Sequence, residues 1–485
     1  MLKLLSTTHA QRLREFLREA KYTHEELQNN RLLQELPSRG SGNLAVSLDR
    51  TREPSLPNLL LRWFFLGVAA ESASAVSMVP EPVLAIMLES GILEWDGSAL
   101  RPTVMLTPCD QYVFAADTAG RMESHPSDVV VWPNPTTRLL QYFAIRRPVD
   151  AVLDLGAGCG IQGVIAANHS RQVTATDLNP RAAEFTHFNA RLNSVENIEC
   201  LIGDTYEPVE NRRFDLILAN PPFFITPTSG TLYCENSMEL DGYCRRVARE
   251  APDYLKEGGY LQMVCEWVQV RGEPWQDRIR EWVVGLGCDA WVFHSYARGA
   301  ADYARERIRQ RAPVGAEAET IARWADYYHQ RGVEEMHGGM LAMRRRTGRN
   351  WVRISDMLLD PGEPFGDAVW QGFACIDWLE LHGSDEEMLA ARPRLSPDVQ
   401  LDQQLRQAEG RWQPVTMTLR FTGGIPDSMR LEPAVAEFLV RLDGRQSLGE
   451  LIASVAQRVK ADAQIVQREC LAVVRRSIER RFVLP

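Results

Sequence analysis

Residues Val152 to Gly160 read VLDLGAGCG, and the helical run IQGVIAANHS follows at once. Apolar side chains on both sides of Asp154 suit a strand buried on both faces, as in parallel sheets covered by helices. Gly156, Gly158 and Gly160 then let the backbone pass close to a ligand at the carboxyl end of that strand. In a doubly wound sheet this end is the switch point where cofactors bind. The spacing is G-x-G-x-G and not G-x-G-x-x-G, so the turn departs from the pyrophosphate fingerprint.

Outward from this turn, Pro148 to about Arg346 alternates short apolar runs with helical stretches. AVLDLG, VTATDL, IECLIGD, FDLILAN, GYLQMVCEW, DAWVFHSY and GMLAMRRR are the strand candidates. The alternation predicts an α/β fold with a seven-stranded, mainly parallel, doubly wound sheet. The second strand ends in Asp177, placed to accept hydrogen bonds from ribose hydroxyls. The third ends in Asp204. The fourth runs into Asn220, Pro221, Pro222 and Phe223, where two prolines with no N–H to donate stop the ladder.

Four strand ends thus carry a glycine turn, an acid, an acid and Asn-Pro-Pro-Phe, in that order. With this set, residues from about 130 to 346 resemble class I S-adenosylmethionine-dependent methyltransferases. More narrowly they are similar to the branch that methylates planar nitrogens. That branch includes base-amine methyltransferases acting on ribosomal or transfer RNA and the small methyltransferases that modify release-factor glutamine. The resemblance covers under half of the chain. It implies S-adenosyl-L-methionine as cofactor, with Asp154, Gly156 and Gly158 beside its methionine part, Asp177 at the ribose and Asp204 at the adenine. Gly160 and Asn220 complete the expected cofactor set.

The chemistry of such a nitrogen explains the Asn-Pro-Pro-Phe knot. A conjugated NH₂ is a poor nucleophile because its lone pair is delocalised. Two oriented acceptors on its N–H bonds turn that lone pair toward the methyl donor. The Asn220 amide oxygen and the Pro221 carbonyl are read as these acceptors, the prolines fixing their direction. Phe223 is read as stacking on the planar group. The following loop offers Thr226, Tyr233, Glu235 and Asp241 as substrate contacts. Upstream, WPNPTTRLL offers Thr136 or Thr137 to the methionine carboxylate. His294 and Cys159 read as fold residues, and no nucleophile–base pair or metal-ligand spacing appears.

The bulk properties fit an enzyme of this kind. The chain has 485 residues, 45% hydrophobic and 24% charged, with a formal charge of −10. That acidity argues against coating nucleic acid by charge alone. Nine cysteines with no C-x-x-C suggest reduced thiols, and with no leader-like or membrane-spanning run the expectation is a cytoplasmic protein. Four parts are expected: a helical, winged-helix-like domain at 1–145, the catalytic domain at 146–349, an irregular connector at 350–429, and a second winged-helix-like module at 430–485. The basic knots RRRTGR (Arg344–Arg349) and RRSIERRF near the C-terminus read as solvated element ends. The first reading of the methyl acceptor is an exocyclic base amine of a structured RNA. The alternative is a glutamine amide of a release-factor-type protein, and the third a scaffold that binds cofactor without turnover. Neither the recipient nor the oligomeric state is legible.

Overall fold

The computed structural model describes residues 2–29, 41–124, 127–227, 232, 234–309, 317–357 and 362–485. Two units separate: Met1–Gln141 with Arg147–Leu359, and Tyr142–Arg146 with Asp360–Pro485.

In the first unit, the run HAQRLREFLREA is the helix Thr7–Glu19, capped by Ser6, whose hydroxyl accepts from the His9 N–H. LLLRWFF forms the buried helix Leu56–Phe64. β1 (Ala70–Glu71), helices Ser72–Met78 and Glu81–Glu89, then β2 (Leu93–Asp96) and β3 (Ala99–Pro102) follow, with sheet order β1-β3-β2. The order is helix–strand–helix–helix–hairpin. β4 (Val104–Cys109) and β5 (Tyr112–Asp117) make a second hairpin.

β6 (Val149–Leu155), β7 (Ser170–Asp177), β8 (Ile198–Ile202), β9 (Phe214–Ala219), β10 (Leu255–Val270), β11 (Cys288–Gly299), β12 (Val333–Arg345) and β13 (Val352–Asp356) form one sheet, ordered β13-β11-β12-β10-β9-β6-β7-β8. Neighbours pair parallel except at β12, which is antiparallel to both β10 and β11. All seven expected strands are present. The eighth, β13, corrects the count: VRISD is a short, half-buried edge strand whose alternation is too brief to stand out.

The β4–β5 hairpin is tied to the catalytic sheet by side chains. Helix Pro180–Leu192 presents Asn189, whose amide accepts from Ala115 N (2.7 Å) and donates to Ala115 O (2.9 Å). One turn on, Asn193 does the same for Val113, at 3.0 and 2.8 Å. The two amides complete the hydrogen bonding of β5 where no strand lies beside it.

The second unit corrects the expected irregular connector. It holds helices Gly366–Leu381 and Asp385–Ala390, β14 (Arg394–Leu395), and an antiparallel sheet of β15 (Val399–Ala408), β16 (Arg411–Phe421) and β17 (Ser428–Leu431). The acidic GSDEE run is a helix start: Ser384 and Glu387 form a reciprocal capping box. VQLDQQLRQA reads as a loop because nearly all of its side chains are exposed on both faces. Helices Pro433–Leu439, Leu448–Val459 and Ala463–Glu479 precede β18 (Val483–Leu484), which pairs with β14. The module expected at 430–485 has three helices. Its closing strand joins β14 and not a hairpin wing.

The basic knots are solvated only in part: Arg349 and Arg476 are exposed, while other arginines are engaged within the fold. Arg344 is 7% exposed and pairs with buried Asp289 at 2.7 Å, while Arg345 donates to the Pro252 and Leu255 carbonyls. Near the C-terminus Arg480 binds Asp427, and buried Arg481 donates to the Ile425 carbonyl at 3.2 Å. Among the described residues no helix is long and apolar enough to cross a membrane.

Candidate active site

Five parallel strands deliver their carboxyl ends to one edge, and a cavity of about 360 Å³ opens there. Asp154, Gly156, Gly158, Asp177, Asp204, Asn220 and Pro222 all line it. A volume of this size is within the range of small-ligand pockets.

The glycine turn is built as a cradle. Gly156 and Gly158 have φ of +74° and +57°, and a Cβ added at either meets no protein atom within 4 Å. The backbone is therefore bare toward the cavity at both positions. Gly160 serves otherwise: a Cβ there would lie 2.8 Å from the Thr186 side chain, so this glycine lets the next helix pack. It is not among the cavity-lining residues.

The two acids beside the turn are held by backbone N–H groups. Asp154 accepts from Gly163 at 2.7 Å, and burial, reinforced by Asp177, pushes its carboxyl up to about 7 against that bond. Asp177 accepts from Gly158 and Asn179, each at 2.8 Å, yet burial raises it too. Asp204 is different. Burial acts to raise it, but hydrogen bonds from Thr205 and from Arg246 (2.7 Å) prevail and hold it below the usual carboxylate value.

Over the cavity lies the segment from Val129 to Trp132. Buried Asp117 accepts from Val130 N at 2.8 Å and from both terminal nitrogens of Arg181 at 2.6 and 2.7 Å. Arg181 also donates to the Asp128 carbonyl at 3.0 Å, so one bidentate pair pins the segment at two points. Thr137 lines the cavity, while Thr136 does not; both hydroxyls donate to Asn134 Oδ1.

At the far end of the cavity stands Asn220. Its Oδ1 is buried with no hydrogen-bond partner among the described residues. A buried amide oxygen left unpaired is costly and calls for an explanation, which an incoming N–H supplies. Beside it the Pro222 carbonyl accepts from Asn236 Nδ2 at 2.7 Å, which fixes the turn. Pro221 and Phe223 are buried and lie outside the cavity lining. Phe223, at 7% exposure, packs 5.3 Å from the half-buried Phe224 ring. For the expected stacking the ring would have to turn outward.

Of the loop candidates, Glu235 lines the cavity. Thr226 is buried away from it, and Asp241 is spent on Arg278, at 2.6 and 2.7 Å. Tyr233 lies outside the described residues. His294 sits between Asp356 (2.9 Å) and His337 (3.1 Å) and stacks on Trp275. Burial drives the Cys159 thiol up to about 12, which removes it as a nucleophile. Tyr243, Arg246, Asn236 and Trp132 line the cavity without having stood out in the sequence. Two of them carried a signal: Trp132 opens the WPNPTTRLL stretch, and Asn236 lies in a polar run just after the Asn-Pro-Pro turn.

Residues 134–273 match the methyltransferase small domain, and residues 371–485 match a domain of unknown function. The chain is 29% identical to the release factor glutamine methyltransferase of Shewanella oneidensis, over 41% of this chain and 80% of that one. It is 30% identical to the enzyme of the same name from Vibrio cholerae, over 28% of this chain, and spans about half that relative's length (52%). It is also 30% identical to the ribosomal RNA small subunit methyltransferase C of Alcanivorax borkumensis, over 24% of this chain and 31% of that one.

Proposed function

We propose that this chain, with a methyltransferase small domain at its centre, is an N-methyltransferase that moves a methyl group from S-adenosylmethionine to a planar NH₂ of a macromolecule. The observation that carries the reading is the unpartnered, buried Asn220 Oδ1 at the end of a cavity lined by bare glycine backbone and four acids, Asp154, Asp177, Asp204 and Glu235.

The cofactor fits the residues present. Gly156 and Gly158 give the open backbone its methionine part needs, and Asp177 stands at the end of β7 for the ribose. Asp204, kept ionised by Arg246 and Thr205, serves the adenine edge. Once bound, the cofactor supplies a sulfonium methyl, electrophilic enough to need no metal or covalent intermediate. Asn220 Oδ1 accepts one N–H of the target and the Pro221 carbonyl the other, so the lone pair faces the methyl. Position substitutes for a base, since the nitrogen sheds its extra proton readily once it is cationic.

Two recipients are open. The elements at 70–102, read as a winged helix, favour an exocyclic base amine of a folded RNA, because such modules grip nucleic acid in many proteins. The release-factor glutamine methyltransferases among the relatives favour a glutamine amide of a protein, while the ribosomal RNA methyltransferase among them supports the first recipient. The test adds purified protein and methyl-tritiated S-adenosylmethionine to an extract of cells lacking it, with Asn220→Ala as control. Label lost only to ribonuclease assigns an RNA acceptor, and label lost only to protease a protein one. Equal labelling by Asn220→Ala would refute the proposed chemistry.

A further inference from the structure

Between β11 and β12 the chain does not close a simple hairpin but carries two helices, Ala300–Arg309 and Glu317–Gln330. Neither contributes a residue to the cavity lining. They reach the acceptor turn from behind. β10 leaves β9 at Met263↔Ala219 but continues beside β12 to Val270. Past the point where Asn220 turns away, β10 and β12 thus project as a wall. Against it Ile225, Val268, Tyr303, Trp324, Tyr328 and Met336 form a separate apolar cluster.

Ile225, three residues after Pro222, is held there at both of its backbone groups. Its N–H donates to Tyr303 Oη at 3.2 Å, and its carbonyl accepts from Tyr328 Oη at 2.7 Å. Tyr303 Oη in turn donates to Glu266, which is 2% exposed and also accepts from Tyr296 and Arg307. The Arg307 guanidinium then lies 3.8 Å from the centre of the Phe224 ring. A buried carboxylate with three donors is the anchor; Tyr303 carries its position to Ile225 and Arg307 to Phe224, while Tyr328 holds the Ile225 carbonyl from the neighbouring helix. Gly338 is part of the same device: a Cβ there would lie 2.3 Å from the Tyr296 ring.

We propose that the insert is a clamp on the acceptor turn, with Tyr303, Tyr328 and Arg307 as positioning residues for Asn220. This rests on the methyl-transfer reading for its consequence, though not for its geometry. Because the clamp touches the turn and not the cofactor cavity, loosening it lowers turnover at saturating cofactor and spares cofactor affinity.

The test compares wild type with the double variant Tyr303→Phe, Tyr328→Phe, which removes two hydroxyls and little volume. S-adenosylhomocysteine affinity by calorimetry is expected to stay within about twofold. Amide hydrogen exchange across 223–227 is expected to speed by about tenfold or more, and the labelling rate at saturating cofactor to fall about 10–100-fold. Arg307→Lys keeps the charge opposite Glu266 but loses the plane over Phe224, and should fall between the two. Unchanged exchange would overturn the clamp, as would faster exchange with an unchanged labelling rate. If the wild type itself labels nothing, the methyl-transfer reading fails, while the exchange comparison still decides whether the clamp exists.

Discussion

Asn220 and Asp154 stand at neighbouring strand ends with opposite demands, one an orphan acceptor and the other an overburied acid. Asn220→Ala should leave S-adenosylhomocysteine affinity within about twofold and cut turnover about 10²–10³-fold, the scale for removing one oriented group at a transition state. Parallel calorimetry and labelling check it. Asp154 gives a pH prediction. Its carboxyl lies near 3.8 unfolded and about 7 folded, so between those values the folded state binds more protons. Stability from this group therefore falls as pH rises through that window and is lowest above about 7. Thermal melts at pH 5.5 and 7.5 should show Asp154→Asn losing less stability than wild type, by roughly a few degrees. The acids and the bare glycines were legible because each ends a strand, where residue type alone implies a ligand. Arg246 and Tyr243 were not: nothing in GYCRRVARE says which face of its helix meets Asp204.

At the scale of elements, the helix Pro180–Leu192 does three tasks. It caps β5 with Asn189 and Asn193, donates to the glycine turn through Asn189 Nδ2 to the Cys159 carbonyl (2.8 Å), and pins the segment over the cavity with Arg181. Asn189→Ala strips three hydrogen bonds from a fully buried site, leaving β5 and the turn with unmet groups. A loss of about 3 kcal/mol is expected in urea denaturation, with weaker cofactor binding because the Cys159 carbonyl belongs to the turn. Sequence periodicity revealed the central strands, since β6 and β9 are largely apolar on both faces and β7 is β-branched. It could not reveal β13, only five residues long, or the β15–β16 ribbon, whose side chains toward the turn are exposed on both faces. Nor could it show that asparagine amides replace a missing strand, because that needs two segments brought together in space.

For the whole molecule, the charge of −10 separates the two recipients. An acidic protein that grips RNA does so with local cations, and each phosphate contact adds to the salt slope. With an RNA acceptor, kcat/KM should fall at least about tenfold between about 50 and 200 mM salt, and with a protein acceptor much less. Steady-state labelling across a salt series checks it. Of the arginine knots, Arg344 and Arg481 are turned inward, so only members such as the exposed Arg349 and Arg476 could meet phosphate. The side-chain pairing of β5 also bears on how the chain is made. Ala115 waits for Asn189, 74 residues later, and Val113 for Asn193, 80 residues later. At synthesis rates of about 5–20 residues per second, that wait is roughly 4–16 s. During it, Tyr112–Asp117, buried throughout in the finished fold, emerges from the ribosome as an open apolar edge. Slow translation across 118–193 would lengthen that exposure, and β10 meets the same delay further on, since Tyr260 pairs with Arg344.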